Sequence, residues 1–249
     1  MNTKKPLVKA GGNNIMNDAE LMWNERIKTG TAWTRNDSFD KNGYLILKDL
    51  YDPKELFSVV PPKRGQYTYW DHDETHYNHV EEETQVKGST SRYWHPQYRL
   101  IHTYIRKKLE KELGRNLYNT YYYDRFYYEG QELLKHVDRD ACEISVTIHI
   151  STNLSGTDQD WPIWIKTPDT YTDKKKTEIM VPGEDRSVVL QPGDGMVYKG
   201  CERPHWREAM PGISRKVFGK KVEAYYHQIF FHYVLQDGQR AHCAWDRAR

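Results

Sequence analysis

A histidine and an aspartate that can bind one metal ion stand two residues apart in the middle of the chain. His136 and Asp138 occur in the stretch ELLKHVDRDACEISVTIHIS, residues 132–151. In an extended segment, residues i and i+2 point to the same side, so this imidazole and this carboxylate would share one face. They are two of the three ligands of the facial triad that holds non-haem Fe(II). A His-x-Asp pair is common by chance, so it predicts a metal site only together with a third ligand.

The residues that follow the pair predict a strand with two unlike faces. Apolar and polar side chains alternate strictly, at Cys142, Ile144, Val146, Ile148 and Ile150 and at Glu143, Ser145, Thr147, His149 and Ser151. An edge strand with its polar face in water would show the same pattern. Because His136 and Asp138 come directly before it, we favour a strand whose apolar face packs on helices and whose polar face lines a cavity.

A third ligand is available in a later stretch, QPGDGMVYKGCERPHWREA, residues 191–209. A Pro-Gly-Asp-Gly turn leads there into an apolar strand and a loop, after which His205 begins another strand-like piece. His205 lies 67 residues after Asp138, with three or four predicted strands between them. A rolled antiparallel sheet would bring the two together.

The chain resembles the Fe(II)/2-oxoglutarate-dependent oxygenases, most of all their prolyl-4-hydroxylase-like branch, in two stretches: YYEGQELLKHVDRDACEISVTIHIS and QPGDGMVYKGCERPHWRE. In that branch a tyrosine and a glycine-containing turn precede the His-x-Asp pair, and a Gly-Asp strand precedes the distal histidine. The resemblance covers roughly residues 120–235. Near the N-terminus, NGYLILKDLYDPKEL resembles the usual opening strand and helix of the same superfamily.

The resemblance implies both a fold and a chemistry. The fold is mainly β with flanking helices, a distorted double-stranded β-helix of the jelly-roll or cupin-like barrel type. Fe(II) would be held by His136, Asp138 and His205, with 2-oxoglutarate and O2 as co-substrates, succinate and CO2 as products, and ascorbate as a possible support. Halogenating relatives have a halide in place of the carboxylate ligand, so the presence of Asp138 favours hydroxylation or another oxidation.

The distal carboxylate of 2-oxoglutarate requires a buried cation, best a bidentate one. The family pattern usually places it about ten positions after the distal histidine, which is Arg215 here. The stretch MPGISRKVFGKKVEA is typical of an enlarged hairpin, however, and the last strand begins nearer Tyr225. We therefore favour Arg207, which is two residues from His205 and faces the same interior, and keep Arg215 as the alternative. His149 and Tyr127 are secondary candidates.

Composition narrows the possible partners and compartment. The 249 residues carry 37 Lys and Arg against 35 Asp and Glu, a net charge of +2, which gives no argument for a nucleic-acid or membrane partner. Three cysteines without a CxxC motif argue against a disulfide framework or a structural zinc site. No apolar run approaches the ~20 residues of a membrane span, and no signal peptide is recognisable. We expect a cytoplasmic protein.

The order of elements predicts one folded domain. We expect residues 1–14 to form a flexible arm and 15–249 a single oxygenase domain. Within it, a helical and lid portion, a β-barrel core and a C-terminal tail are expected at 15–118, 119–236 and 237–249. A short helix is expected in NDAELMWNERI, and another in DPKELFSVV.

The clearest predicted helix is PQYRLIHTYIRKKLEKELG, from Pro96 to Gly114. Its predicted apolar stripe consists of Leu100, Ile101, Tyr104, Ile105 and Leu109. Residues 61–94, which precede this helix, are rich in polar and aromatic residues, and their apolar residues follow neither helix nor strand spacing. We expect them to form a long loop that covers the substrate.

We expect several other histidine, cysteine and tryptophan residues to have structural roles and not to bind metal. The run DHDETHYNH holds His72, Glu74, His76 and His79, but no helix or strand period fixes them, so we expect a solvated loop. On the last strand we expect His227 to reach the cavity and His232 to be packed away. We expect core positions for three further residues: Cys201, Trp161 and Trp164.

Two classes of function remain open. The first is an oxygenase acting on a small molecule, a free amino acid or a peptidyl side chain. The second is a cupin-like module that binds a ligand or metal without turnover. An intact ligand triad and an inward arginine favour the oxygenase.

Overall fold

The computed structural model describes residues 36–56, 64–70, 77–81, 85–172 and 175–244. The expected N-terminal arm, the helix expected in NDAELMWNERI and the last five residues of the tail lie outside these ranges. Of the helix expected in DPKELFSVV, a 3-10 turn at Pro53–Leu56 is described. Among the described helices, none is long and apolar enough to cross a membrane.

Two α-helices occur in the described residues, α1 at Asp37–Asn42 and α2 at Arg99–Leu113. Gly114 ends α2 in the left-handed conformation, with φ 66°, as its position in the sequence predicted. Two residues of the predicted apolar stripe are wrong, because Leu100 and Tyr104 are 72% and 48% exposed. The buried face of α2 has four apolar residues spaced four apart: Ile101, Ile105, Leu109 and Leu113.

Sixteen strands are described, with the following bounds: β1 Tyr44–Leu47, β2 Tyr67–Trp70, β3 Tyr77–Glu81, β4 Thr90–Tyr93, β5 Leu117–Tyr128, β6 Leu133–His136, β7 Ile144–Thr152, β8 Ile163–Lys166, β9 Thr170–Thr172, β10 Glu178–Met180, β11 Asp185–Val188, β12 Gly195–Tyr198, β13 His205–Arg207, β14 Arg215–Val217, β15 Lys220–Val222 and β16 Tyr225–Leu235.

Two sheets form the body of the fold. The major sheet has the order β1-β12-β7-β16-β5-β4-β2-β3, and the minor sheet has the order β11-β8-β13-β6. Side chains from both sheets line one cavity, among them Tyr127 and Gln228 from the major sheet and His136 and Arg207 from the minor sheet. The predicted mainly β, jelly-roll-like fold with flanking helices is confirmed.

Helix α2 covers the outer face of the major sheet. Ile105 and Leu109 belong to one apolar cluster with Val146 and Ile148 of β7 and Phe231 of β16. Burying such side chains away from water stabilises the fold by about 25 cal/mol per Å² of apolar surface. The apolar face of β7 therefore packs outward and its polar face turns toward the minor sheet, as the alternation predicted.

Residues 61–94 differ from the long loop that we expected. In the described parts of this segment, β2, β3 and β4 extend the major sheet beyond β5, and β2 runs parallel to β4. Aromatic and β-branched residues such as those of YTYW fit a pleated sheet well, although the segment as a whole lacks an apolar period. Residues 71–76, with His72, Glu74 and His76, lie outside the described residues.

A buried ionic network joins β4, β5 and β16 on the outer face. Asp124 accepts hydrogen bonds from Arg92, from the Tyr98 hydroxyl at 2.7 Å and from His227 Nε2 at 2.8 Å. Burial alone would raise the pKa of Asp124, but the charge of Arg92 and the bonds from His227 and Arg92 outweigh it. The pKa of Asp124 is thus held well below its usual range.

Candidate metal centre

The pairing of two short strands brings the predicted ligands together. β6 and β13 are antiparallel neighbours in the minor sheet, and His136 lies directly opposite His205 in their register. Asp138 follows β6 by two residues, and its backbone N–H donates to the carbonyl of Gly200 at 2.9 Å. Backbone pairing therefore brings the three side chains to one place.

The three side chains converge on one point. Asp138 Oδ1 lies 3.5 Å from His136 Nε2 and 3.5 Å from His205 Nε2. One ligand atom from each residue lies within 4.8 Å of the other two. Two ligand atoms at right angles, each about 2.1 Å from an ion, would lie roughly 3 Å apart. A metal ion fits this triad after small side-chain adjustments.

Backbone carbonyls set the tautomer of both histidines. His136 Nδ1 lies 2.7 Å from the carbonyl oxygen of Leu134, and His205 Nδ1 lies 3.0 Å from that of Arg203. A carbonyl oxygen only accepts hydrogen bonds, so each Nδ1 carries the proton. Each Nε2 is then the nitrogen that faces Asp138, and in the neutral imidazole it carries the lone pair that a metal would use.

The charges within the triad support one another. Burial alone would raise the pKa of Asp138, but the neighbouring His205 and His136 hold it well below its usual range. Burial alone would lower the pKa of His205, and the carboxylate of Asp138 raises it above its usual value. Asp138 is therefore an anion at neutral pH, as a metal ligand must be.

The second oxygen of Asp138 is held by tight packing. Ser145 Oγ donates to Asp138 Oδ2 at 3.1 Å. A Cβ atom added at Gly200 would lie 2.3 Å from the Cys142 carbonyl oxygen, 2.5 Å from Asp138 Oδ2 and 2.6 Å from Ser145 Oγ, closer than real Cβ atoms come. Gly200 is thus required by its close approach to the Cys142 backbone and to a ligand carboxylate, which nothing in the sequence indicated.

Arg207 points into the same cavity, and some of its N–H groups have no hydrogen-bond partner there. Its side chain is buried, and Nη1 donates to the carbonyl of Trp161 at 2.8 Å. Its Nε and Nη2, and the hydroxyl of Tyr127, are buried without a hydrogen-bond partner. Unsatisfied buried donors are costly, and a cation with free donors is what a carboxylate ligand would satisfy.

The other two predicted carboxylate-binding residues lie outside this cavity. Arg215 is exposed at the start of β14, in the hairpin where the sequence placed it. His149 faces inward but stacks on Tyr226, with ring centroids 4.0 Å apart, and its Nδ1 donates to the carbonyl of Leu190 at 2.7 Å. Burial lowers the pKa of His149 to about 4, so it is neutral.

Of the two histidines on β16, His227 does not reach the cavity as expected, whereas His232 is packed as expected, against Tyr121, and also lines the cavity. His227 bonds to Asp124 and stacks on Phe126, with centroids 3.9 Å apart, on the side away from the cavity. His232 lines the cavity, with its Nδ1 2.9 Å from Ser145 Oγ. Along β16 the side chains of Gln228, Phe230 and His232 line the cavity, whereas Ile229 and Phe231 pack on the outer apolar cluster. His227 belongs to the outward set. Both sets contain aromatic residues, so the alternation alone does not show which set faces the cavity.

Of the three residues expected in the core, Trp161 is buried, whereas Trp164 and Cys201 are not. Trp161 is buried, and the Arg207 guanidinium lies 4.3 Å from its ring. Trp164 is half-buried and stacks on Trp206, with centroids 6.0 Å apart. Cys201 is half-buried on a turn, where its thiol lies 3.1 Å from the Arg139 carbonyl, because the turn between β12 and β13 lies at the surface.

Gln85 is a site residue that sequence reasoning missed. Its Nε2 lies 3.1 Å from His136 Nε2, the nitrogen that faces the other ligands, so the amide donates to the lone pair that a metal would use. The cavity at this point has a volume of about 10 Å³, about that of one water molecule. Gln85 comes from a polar segment with no pattern that would have marked it.

No protein-family model matches the chain, and no curated protein matches its sequence. Several solved structures are similar. A prolyl-4-hydroxylase from Pseudomonas putida covers 79% of this chain and 95% of its own, with 12% identity and a TM-score of 0.45. The α-ketoglutarate-dependent epimerase SnoN of nogalamycin biosynthesis covers 78% and 80%, with 10% identity and a TM-score of 0.49. An oxidoreductase of the 2OG-Fe(II) oxygenase family from Burkholderia pseudomallei covers 77% and 84%, with 12% identity and a TM-score of 0.45.

At identities of 10–12% and TM-scores of 0.45–0.49, these similarities do not establish a reaction for this chain. One fold can carry many reactions, so the function depends on the residues of the cavity.

Proposed function

We propose that the protein is an Fe(II)- and 2-oxoglutarate-dependent oxygenase that oxidises a C–H bond of a small molecule, an amino acid or a peptidyl side chain. The observation that carries this proposal is the triad of His136, Asp138 and His205, whose free Nε2 and Oδ1 atoms face one another across paired strands. Two histidines and a carboxylate on one face are the ligand set of non-haem Fe(II) oxygenases.

Five residues of the cavity have direct roles in this reaction. His136, Asp138 and His205 hold the metal, and Arg207 and Tyr127 bind the distal carboxylate of 2-oxoglutarate so that its keto-acid end points at the triad. When bound, Fe(II) lets O2 react, so that one oxygen atom goes to the substrate and the other to succinate, with loss of CO2. The buried walls of the cavity keep water away from that reaction.

Binding of a five-carbon keto acid requires the cavity to widen. Gln85 is the exposed residue among those that line it, and its amide occupies the metal side of His136. A metal ion that takes His136 Nε2 removes this contact. We infer that the Gln85 side chain moves away from His136 when metal and co-substrate bind. This is a smaller moving part than the lid predicted over residues 61–94.

The aromatic wall of the cavity indicates a kind of substrate, and the cysteines of the chain indicate a compartment. Tyr123 and Phe230 form an aromatic wall beside the triad, with ring centroids 4.6 Å apart. Such a wall suits a substrate with an apolar or planar group next to the oxidised carbon. None of the three cysteines, all of which lie in the described residues, is in a disulfide bond, which suits the reducing compartment that Fe(II) also favours.

Succinate formation tests the proposal. The full chain is incubated with Fe(II), 2-oxoglutarate, ascorbate and air, and succinate is measured for the wild type, His205→Ala and the control His242→Ala. We expect slow succinate formation without substrate, its loss in His205→Ala and no change in the control, because His242 lies in a surface turn far along the chain from the triad.

Metal binding is measured in parallel with Co(II), whose absorption spectrum reports its ligands. Weak Co(II) binding by the wild type, or equal binding by His205→Ala, would refute the metal site. Tight binding of Co(II) and 2-oxoglutarate without any succinate in the iron form would instead support the alternative, a cupin-like module without turnover.

A further inference from the structure

A second cavity lies away from the metal centre. Its volume is about 250 Å³, and it is bounded by α1, β9 and the turn between β12 and β13. None of the three triad residues lines it. Its lining is rich in charge and includes Asp40, Arg115, Lys199 and Arg203.

Two of the cations share one buried carboxylate. Asp40 is 5% exposed and lies 3.2 Å from Arg115 Nη2 and 3.6 Å from Lys199 Nζ. Lys199 also lies 3.8 Å from Glu202, but that carboxylate is 44% exposed and such pairs contribute little. The positive charge of Arg115 and Lys199 is thus only partly balanced.

The third carboxylate that lines the cavity, Glu143, has hydrogen-bond partners outside the cavity's cations. Glu143 Oε2 accepts from the backbone N–H of Leu235 at 2.8 Å, and its Oε1 lies 3.4 Å from Arg240 Nη1. It is therefore engaged with groups other than the three cations of the cavity.

Arg203 is the cation of this cavity that has no acidic partner in the described part of the chain. Its stem packs on Gly43, where an added Cβ would lie 2.6 Å from Arg203 Cδ. Gly43 also has φ 76°, so glycine is favoured there for two reasons. Arg203 Nε is buried without a hydrogen-bond partner. The fold thus holds a guanidinium in a cavity and leaves part of it unsatisfied.

We propose that this cavity binds a small oxyanion, a carboxylate or phosphate, through Arg203, with Lys199 and Arg115 as further positive charges. A planar guanidinium matches the two oxygens of either group. The hydroxyl of Thr170, which also lines the cavity, offers one more donor. The site is separate from the one that binds 2-oxoglutarate and does not depend on the proposed reaction.

Arg203 also connects the cavity to the metal centre. Its carbonyl oxygen accepts from His205 Nδ1, and the turn that carries it holds Gly200, whose carbonyl accepts from the Asp138 N–H. An anion that draws the Arg203 side chain inward acts on the same short turn. Occupancy of the cavity is therefore expected to change the affinity of the triad for metal; this part rests on the proposed function.

Calorimetric titration of the metal-free full chain tests the site, with inorganic phosphate and acetate as separate probes. The variants are Arg203→Gln, Lys199→Gln and the control Arg215→Gln, whose side chain is exposed in a hairpin. We expect wild-type binding of at least one probe, an affinity about tenfold lower in Arg203→Gln, a smaller loss in Lys199→Gln and no change in the control. Comparison of the two affinities shows whether the cavity prefers a phosphate or a carboxylate.

Two results would overturn the site: no binding of either probe by the wild type, or equal binding by wild type and Arg203→Gln. If Arg203→Gln does not fold, Lys199→Gln decides in its place, since Lys199 packs on the surface with 22% of its side chain exposed. Repeating the Co(II) titration with and without the bound probe tests the link to the triad. Identical Co(II) affinities would refute that link and leave the anion site standing.

Discussion

Replacing Arg207 by methionine should weaken 2-oxoglutarate binding by a predictable amount. Methionine keeps an unbranched stem against Trp161, whose ring lies 4.3 Å from the guanidinium, and removes the charge. The two unpartnered nitrogens, Nε and Nη2, can donate two charge-assisted hydrogen bonds to one carboxylate. At the lower figure of about 1.5 kcal/mol for each bond, the loss is about 3 kcal/mol, or on the order of a hundredfold in Kd.

The assay is titration of the Co(II)-loaded protein with 2-oxoglutarate, which gives Kd without turnover. Arg215→Met is the matched control, because Arg215 is exposed on β14 and is the residue that the family spacing would have chosen. We expect Co(II) affinity to stay unchanged in both variants, since neither residue touches the triad. A large loss in Arg215→Met with normal binding by Arg207→Met would refute our placement of the co-substrate.

Three further predictions concern the neighbours of the triad and the outer network. Gln85→Ala removes a hydrogen bond that competes for His136 Nε2, and should raise Co(II) affinity roughly two- to tenfold; lower affinity would show that Gln85 supports the metal instead. In Gly200→Ala the added methyl group would overlap with the Cys142 carbonyl oxygen and with Asp138 Oδ2, which should displace the ligand and lower Co(II) affinity about tenfold or more; unchanged affinity would mean that the turn shifts without disturbing Asp138. Asp124→Asn should lower the free energy of unfolding at pH 7 by about 3 kcal/mol. Because the folded pKa of Asp124 is depressed, this stability is present above its unfolded pKa of about 3.9 and is lost as the pH falls below it. Urea unfolding at pH 7 and pH 3 should show a smaller change with pH in the variant than in the wild type.

The sequence was most informative where a short pattern of residues, such as alternation in a strand or a glycine after a helix, predicts local structure directly. Strict alternation after Asp138 predicted which face of β7 is buried against the helix, because side chains in a strand alternate with a period of two. The stop of α2 at Gly114 followed from the left-handed conformation that glycine adopts at low cost. Both features depend on only a few consecutive residues.

The missed features depend on contacts between distant parts of the chain. The direct pairing of His136 with His205, the close approach of Gly200 to Asp138 and the contact of Gln85 with His136 join residues 51 to 69 positions apart. No local pattern records such contacts. The outward position of His227 was missed because the alternation along β16 does not show which of its two faces turns toward the cavity.

The position of β6 in the minor sheet has a practical consequence for handling the protein. In the part of the chain that the structure describes, β6 is outermost in its sheet and pairs with β13 alone, and it exposes 67% of Leu134. A metal that joins His136 and Asp138 to His205 fastens this strand to its neighbour. Chelation removes that fastening and leaves a short strand with free backbone groups and an apolar side chain in water. Preparations stripped of metal are therefore expected to precipitate sooner and to be cut more readily by proteases near Leu134, so shelf life should depend on metal content.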